Sequence, residues 1–283
     1  MKYKLLFLGF LGLTVGMFFL PKPNLNSEIF AAISGVASFL FGLLASFTIM
    51  DRHGRIEKIT ENGSGERGEL DFMADLLKEF PKEKRQPIVM AMDRYLMAGL
   101  DYSTKDFYRT EKEFDYLTEI IRQLPAKTKK DDAVYAQLLS SLEKVQQTRK
   151  STIALFEDKL PKSEWFILYF LIFLIYLSLL FLHPNSILAI TIIFGLAAVI
   201  AYLLVVAMMF DDLKWRQEDK IFEPFEKTFE DLKLPRYYPS DALAHRRIKA
   251  IKQLPVGAQY RVGDTPDYPD LSTRKIETVV VRG

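Results

Sequence analysis

Cysteine is absent from the sequence and histidine is scarce, and both facts exclude chemistry. With no cysteine among 283 residues, the chain has no disulfide, no thiolate nucleophile and no cysteine-ligated metal site. The three histidines, His53, His183 and His245, lie far apart in the sequence, which argues against a histidine metal centre. A net charge of +2 gives no general attraction to nucleic acid or to acidic substrates. We therefore expect no cofactor, no metal and no nucleic acid partner.

Enzyme motifs are missing as well. The sequence contains no Walker A loop, no glycine-rich dinucleotide loop, no GxSxG, no HExxH and no protein kinase set. Its apolar runs hold no paired polar nucleophiles or acids of the kind that an intramembrane protease needs. We predict that the protein is not an enzyme, and we assign no catalytic residue.

Charge is also missing from two long apolar runs in the second half of the chain. The runs are residues 164–182 and 187–210, and the break His183–Ser186 separates them. From Phe166 onward, neither run contains Asp, Glu, Lys, Arg or His. Each run is about as long as the roughly 20 residues that a helix needs to cross the hydrocarbon core. The runs predict a tight transmembrane hairpin, with TM3 at about 164–182 and TM4 at about 187–210.

Residues 1–50 repeat this pattern. A basic start precedes one apolar run at about 5–20 (TM1), and a second run follows at about 29–50 (TM2). A basic start with a short apolar core also resembles a secretory signal peptide. No small-x-small site closes the run, which ends Phe18-Phe19-Leu20, so a retained helix is the favoured interpretation.

Basic residues collect on one side of these four spans. The two short loops hold only Lys22, whereas the other flanks hold Lys2, Lys4, Arg52, Arg55, Lys58, Lys159, Lys162, Lys214 and Arg216. The positive-inside rule then places both termini and the long middle segment in the cytoplasm. We predict a multi-pass protein of the cell (inner) membrane, surrounded by the lipid bilayer.

The middle segment, residues 51–162, is predicted to be helical throughout. Asn62-Gly63-Ser64-Gly65 is a turn signal that should end any continuation of TM2. Three helices are predicted after this turn. Pro81 should end the first of them, and Ser103 is a good N-cap for the third. Their apolar faces are Leu70, Met73, Leu77 and Phe80; Val89, Met92, Leu96 and Leu100; and Phe107, Phe114, Leu117, Ile121 and Leu124.

A fourth and longest helix is predicted from about Asp131 to Lys159. Its apolar positions alternate three and four residues apart, close to a heptad seam, and the seam contains the polar Arg149. The seam packs within the chain's own bundle, packs between subunits, or does both. Arg149 is accordingly a candidate for a cytoplasmic subunit contact.

The tail, residues 211–283, begins with two carboxylates. Asp211 and Asp212 suggest a cation site, but the loop glycine of a calcium motif is missing, so we predict solvated interface charges. Residues 242–253 form a short basic helix predicted to contact anionic lipid or an acidic protein neighbour. Residues 259–262 and 276–281 have the composition of strands, which predicts a small hairpin or edge strand.

These patterns define the expected fold class. We predict an all-α integral membrane protein with four transmembrane helices in two hairpins, a cytoplasmic helical bundle and a short C-terminal tail with a β-hairpin. The domains are the N-terminal hairpin at 1–50, the cytoplasmic helical domain at 51–162, the C-terminal hairpin at 163–210 and the tail at 211–283.

TM2 carries the candidate site. Small residues recur along one helical face, and the residues proposed for a pore or gate are Gly35, Ser38, Phe39, Gly42 and Ser46. Such a stripe allows close helix approach, so one interpretation is a packing seam against TM1 or TM4. The other is that the stripe lines a pore in an oligomer, with Phe39, Phe41 or Phe47 forming a hydrophobic constriction that gates by dewetting.

Scattered positions resemble a known family. They are Arg149-Lys150 followed by Leu160-Pro161 and Trp165, the stretch GVASFLFGLLASFTIMDRHGR, and Phe222-Glu223-Pro224-Phe225. In this order, over about residues 29–232, they resemble the bestrophin-like family of four-helix membrane proteins. The Glu-Ala-Asn-like element expected after TM2 is absent or reduced to Glu61-Asn62, and the tail beyond residue 240 has no family counterpart. True bestrophins are pentameric anion channels, so the resemblance implies a homo-oligomeric pore.

Two functions from different classes remain open. The first is a passive, homo-oligomeric ion (anion) channel with TM2 at the pore and the bundle as a vestibule. The second is a non-conducting membrane scaffold or sensor whose cytoplasmic domain binds a protein partner. A coupled transporter is disfavoured, because such proteins place charges or broken helices at membrane depth and these spans have neither.

Overall fold

Helices make up most of the structure, a computed structural model that describes residues 2–17, 27–103, 105–124, 129–181, 187–213, 218–244 and 255–281. The helices are α1 (Lys2–Met17), α2 (Ser27–Leu76), α3 (Lys82–Asp101), α4 (Glu111–Arg122), α5 (Lys129–Glu157), α6 (Lys162–Phe181), α7 (Ile187–Asp211), α8 (Glu218–Asp231) and α9 (Ser240–Ala244). The strands are β1 (Arg236–Pro239), β2 (Gln259–Asp264) and β3 (Lys275–Val280).

The chain divides into two compact units. The membrane unit consists of Met1–Glu57 and Lys159–Trp215, and the bundle unit consists of Lys58–Asp158 and Arg216–Gly283. The first part of α2 belongs to the membrane unit and the remainder to the bundle unit. Each unit has a hydrophobic core of its own.

The membrane unit contains the apolar helices. Three helical stretches are long and apolar enough to cross a membrane: Glu28–Glu79, Asp131–Leu179 and Ile190–Asp211. The first two also include residues of the bundle unit. The remaining predicted span, TM1, corresponds to α1, a helix of 16 residues. The end of that span, residues 18–20, lies outside the described residues. Four spans and their orientation therefore stay a prediction, whereas α6 and α7 match the predicted TM3 and TM4 within two residues.

The predicted break after TM2 is wrong, because α2 runs without interruption for 50 residues through Asn62-Gly63-Ser64-Gly65. Each glycine in a helix costs about 1 kcal/mol relative to alanine. Burial of Leu70 and Met73 on the same helix offsets this cost. The Ser64 hydroxyl donates to the Thr60 carbonyl, so it bonds within the helix rather than turning the chain.

The apolar faces predicted for the middle segment form the core of the bundle unit, except for Phe107, which is half-buried and packs edge-on against Phe156. Leu70, Met73 and Leu77 are buried, and Pro81 ends this element as predicted. The N-cap predicted for Ser103 is wrong: its hydroxyl donates to the Asp106 carboxylate at 3.0 Å, and a 3₁₀ turn at Phe107–Thr110 precedes α4. The long predicted helix is α5, and its seam residues from Leu138 to Thr152 are buried.

A three-stranded sheet follows α8. The predicted strands pair as an antiparallel hairpin of β2 with β3, in register Gln259↔Val280 to Asp264↔Lys275. Sequence reasoning missed β1, which pairs parallel with β2 from Arg236↔Tyr260 to Pro239↔Gly263. Most of the predicted basic helix at 242–253 lies outside the described residues; α9 covers only its start.

Candidate functional site

The membrane half of α2 presents two different faces. Residues three and four apart share a face of a helix, so Ala37, Phe41 and Ala45 form one face. All three are buried in the apolar core with side chains of α6 and α7. At the start of α2, Phe30 stacks on Phe181 of α6 with ring centroids 4.0 Å apart. This face fixes α2 within its own chain.

The candidate pore residues lie together on a different face of α2, roughly a third of a turn away at about 100° per residue. Gly35 and Ser46 are exposed, and Ser38 and Gly42 are partly exposed. A Cβ built on Gly35 or on Gly42 would meet no atom within 4 Å. Among the described residues, no side chain packs against the two glycines of the stripe. The stripe leaves room for a neighbouring helix or for water.

The three phenylalanines proposed for a constriction separate in the structure. Phe39 is 68% exposed and Phe47 is also exposed, whereas Phe41 is 2% exposed within the apolar core. The suggestion of Phe41 as a gate is wrong, because its ring already fills the space between α2 and its neighbours. Phe39 follows directly on Ser38 and borders the small-residue stripe. The pore-lining role of the stripe stays a prediction.

The serine at the end of the stripe is internally bonded. The Ser46 hydroxyl donates to the Gly42 carbonyl at 2.7 Å, one helical turn earlier. This bond satisfies the hydroxyl proton in an apolar setting and leaves the oxygen lone pairs facing outward.

A charged cluster joins the helices of the membrane unit at one end. Arg52 and Arg55 of α2 are buried, and the Nη1 atom of each lies within 3.8 Å of Oδ1 of Asp211, the last residue of α7. Arg52 also donates from Nε to the carboxylate of Asp51 at 2.9 Å. The Arg55 guanidinium also donates to the backbone carbonyl of Asp211 at 3.0 Å. The backbone N–H of Leu160, just before α6, donates to Asp211 Oδ1 at 2.8 Å. Tyr3 of α1 donates to the next carboxylate, Asp212.

This cluster corrects the prediction that Asp211 is a solvated charge, because its side chain is 9% exposed and faces two arginines. The pairing joins residues more than 150 positions apart, which no local pattern reveals. A usable signal did exist in the sequence. Arg52 follows one apolar run directly after Asp51, and Asp211 directly follows another, so opposite charges stand at matching ends of two predicted spans.

The bundle unit has a buried polar cluster of its own. Arg149 of α5 is 3% exposed, and its guanidinium lies 4.6 Å from the ring centroid of Phe114 and 5.5 Å from that of Tyr95. It donates to the Thr110 hydroxyl at 2.8 Å. The Tyr95 hydroxyl donates in turn to the buried carboxylate of Glu66 on α2. The subunit contact predicted for Arg149 stays a prediction, but within one chain its side chain is already enclosed.

Burial dominates the electrostatics of this cluster. It raises the pKa of the Glu66 carboxyl, while the hydrogen bond from Tyr95 and the charge of Arg149 act in the opposite direction. The Arg149 Nε atom is buried with no hydrogen-bond partner, and in the described part of the chain no carboxylate lies within 4.0 Å of this side chain. Such a cluster defines how α2, α3 and α5 pack; it offers no substrate access.

The C-terminal sheet is bound to α3 by two ion pairs. Arg261 of β2 makes a bidentate contact with Asp93, at 2.7 and 2.6 Å. Asp101 accepts hydrogen bonds from Tyr237 and from Arg274, each at 2.6 Å. Burial raises the pKa of the Asp101 carboxyl against the lowering effect of these two donors. The tail is thus anchored to the bundle over its described strands.

Comparison with known proteins identifies the family. The family model described as the bestrophin-like domain matches residues 5–214, from α1 to just beyond α7. Comparisons with curated proteins and with solved structures give no match. Among the described residues, no three His, Asp or Glu side chains are grouped to hold a metal ion. Since the family match covers well over half of the 283 residues, this membrane protein belongs to the bestrophin-like family.

Proposed function

We propose that this protein is a homo-oligomeric channel in which the open face of α2 lines a passive ion pore. The observation that carries the proposal is the division of α2 into a buried face at Ala37, Phe41 and Ala45 and an open face at Gly35, Ser38 and Ser46. A span whose small and polar residues are left uncovered in one chain is suited to face water or a second copy.

The chemistry of the spans favours passive conduction. Residues 29–50 hold no charged side chain, and α6 and α7 hold none between Phe166 and Phe210. The spans therefore lack the ionisable side chains that coupled transporters commonly use to bind a proton or a sodium ion. Phe39 supplies an exposed apolar ring that can narrow a pore and stop conduction by dewetting. Anions are the proposed ions because of the relation to bestrophins, not because of an anion-binding side chain.

The proposed orientation places both termini in the cytoplasm of a cell with an inner or plasma membrane. The distribution of lysine and arginine around the four spans supports it. Two of the arginines counted there, Arg52 and Arg55, are paired with Asp211, but the rule depends on basic residues rather than on net charge.

Ion flux from liposomes that contain the purified full chain tests the proposal. We expect chloride efflux down its gradient, and we expect Phe39→Ala to raise the flux several-fold by widening the constriction. Phe173→Ala is the matched control, because Phe173 is an exposed phenylalanine of α6 that is not on the α2 stripe. An oligomeric, well-folded preparation that passes no ion with either side chain at position 39 would contradict the proposal.

A second function is supported by the open edge of the sheet. The N–H and C=O of Val281 bond to residues 258 and 257 on the β2 side. Backbone groups alternate in direction along an antiparallel strand, so those of Ile276, Thr278 and Val280 point away from β2. None of the described strands pairs with this side of β3, and a row of such donors and acceptors is suited to pairing with an extended segment of a partner. A non-conducting scaffold or sensor that binds a protein partner is therefore the alternative.

Proline at Thr278 separates the two functions. Thr278→Pro removes an outward N–H and leaves the β2 pairing in place. The scaffold function predicts a protein that conducts no ions and that loses binding of its partner on this substitution. The control Thr265→Pro, in the connection after β2, should leave partner binding unchanged. The channel function predicts that flux is unchanged by Thr278→Pro.

A further inference from the structure

We infer that Asp211 is a positioning residue that sets the rotation of α2 about its own axis. The consequence rests on the proposed function, because the rotation of α2 decides which of its residues face the pore. Asp211 itself lies at the end of α7 and is not part of the open stripe.

The two arginines that contact Asp211 continue the buried face of α2. Counting from Ala45, the next buried positions are Thr48, Arg52 and Arg55, again three or four residues apart. A helix is stiff about its axis over this length, so fixing the direction of Arg52 and Arg55 fixes the direction of Ser38 and Ser46. The stripe then points away from α6 and α7.

Between residues 37 and 45, the apolar packing of the buried face depends on one large side chain, Phe41. The other two side chains of this stretch, Ala37 and Ala45, are alanines, which extend little beyond the helix backbone and resist a rotation less than Phe41 does. In lipid there is also no hydrophobic driving force between helices, so association depends on packing and hydrogen bonding. A directional polar contact therefore has a large influence on the rotation.

The contact at Asp211 is shielded from water, and its Oδ1 atom lies 3.7 Å from Arg52 Nη1 and 3.8 Å from Arg55 Nη1, while Arg52 also pairs with Asp51. The Asp211 carboxylate is held by the Leu160 N–H at 2.8 Å, and the Asp211 backbone carbonyl accepts from Arg55 at 3.0 Å. Ile56, Val206 and Phe210 form a buried apolar cluster beside it. Low local polarity strengthens the attraction between the charges and makes any rotation that separates them unfavourable.

A spin-label scan measures the rotation directly. The chain has no cysteine, so single cysteines at positions 33–47 can be introduced and labelled in the full protein in liposomes without removing any native thiol. Mobility and oxygen accessibility plotted along the helix give the phase of its buried face. In the native protein we expect the minimum at Ala37, Phe41 and Ala45.

The decisive variants change only the carboxylate. Asp211→Asn keeps an acceptor for Leu160 but removes the charge, and we expect the minimum to move toward a neighbouring residue, a rotation of up to roughly 100°. Asp211→Glu keeps the charge and should restore the native phase. Asp212→Asn, at the adjacent residue that Tyr3 contacts, should leave the phase unchanged.

An unchanged phase in Asp211→Asn, in protein with native helicity, overturns the inference. If that variant does not reconstitute, Arg55→Gln removes one arginine and leaves the carboxylate, and the same shift or its absence decides. The scan reads the rotation whether or not the protein conducts. A silent native protein would therefore contradict the proposed pore and leave this result standing.

Discussion

The two units bury arginine side chains in different ways. In the membrane unit, Arg52 and Arg55 face the Asp211 carboxylate at ion-pair distance. In the bundle unit, Arg149 lies over the rings of Phe114 and Tyr95, and Tyr95 stands between it and the hydrogen-bonded Glu66. One arrangement pairs the charges directly. The other surrounds a single positive charge with two aromatic ring faces and a hydroxyl that accepts its hydrogen bond.

The difference has an energetic meaning. Removing one partner of a buried ion pair leaves the other charge uncompensated, whereas replacing a buried charge that has no direct partner removes its desolvation cost as well. The membrane unit should therefore be much more sensitive to loss of its carboxylate than the bundle unit is to loss of its arginine.

The largest expected effect is in the membrane unit. Asp211→Ala removes the carboxylate that faces Arg52 and Arg55, while Arg52 keeps its ion pair with Asp51, and we expect the free energy of unfolding to fall by about 3 kcal/mol. Unfolding of the full chain in mixed detergent micelles measures the change. Asp212→Ala is the control and should cost about 1 kcal/mol, the loss of the hydrogen bond from Tyr3. Equal losses in the two variants would show that the pairing with arginine has no special weight.

An intermediate effect is expected where the sheet contacts the bundle. A Cβ at Gly263 would overlap the Tyr237 hydroxyl oxygen, which is held in place by its hydrogen bond to Asp101. We expect Gly263→Ala to lower the unfolding free energy by about 1–3 kcal/mol through overpacking. At Gly99 of α3, the control, the closest atom is 3.9 Å away, and Ala should be neutral or stabilising. A neutral Gly263→Ala would mean that the contact between Tyr237 and Asp101 is loose.

A smaller effect is expected at the buried arginine of the bundle unit. Arg149→Met loses the hydrogen bond to Thr110 and the contacts with two rings, but it also removes a buried charge. These changes oppose one another, so we expect a change within about 1 kcal/mol by the same unfolding measurement. A loss as large as that of Asp211→Ala would instead mean that Arg149 and Glu66 act as a true ion pair, and the contrast between the units would fail.

The smallest effect depends on pH. Burial raises the pKa of Glu66 above its ordinary 4.5, so the folded chain binds this proton more tightly than the unfolded chain does. The resulting stability is fully present below pH 4.5 and is lost as pH rises through the folded-state pKa. Glu66→Gln keeps an acceptor for Tyr95 and does not ionise. We expect the difference in melting temperature, variant minus native, to increase as pH rises from 4.5 through the folded-state pKa of Glu66. A difference that does not change with pH would contradict the burial argument.

Sequence patterns predicted local features well and distant contacts poorly. The stop at Pro81 and the buried seam of α5 follow from residues within one or two turns of each other. The continuation of α2 through Gly63 and Gly65 could not be predicted from such local residues. The burial that offsets the helix-destabilising effect of these glycines comes from other helices. β1 was missed because a four-residue strand ending in Pro239 has no alternating pattern of its own and depends on pairing with β2.

The candidate site was predicted as a set of residues but not as a geometry. Spacing alone placed Gly35, Ser38 and Ser46 on one face of α2, and it could not distinguish an internal seam from an open surface. That distinction depends on which face α6 and α7 cover, which is set by Phe41 within the apolar core and by the contacts at Asp211.

An electron cryomicroscopy reconstruction of the full chain in lipid nanodiscs tests the central claim most directly. The account predicts a closed ring of identical subunits with α2 innermost, Ser38 and Ser46 facing the axis, and the narrowest point at Phe39. A monomer, a dimer, or a ring in which α2 faces lipid and another helix lines the axis would contradict it.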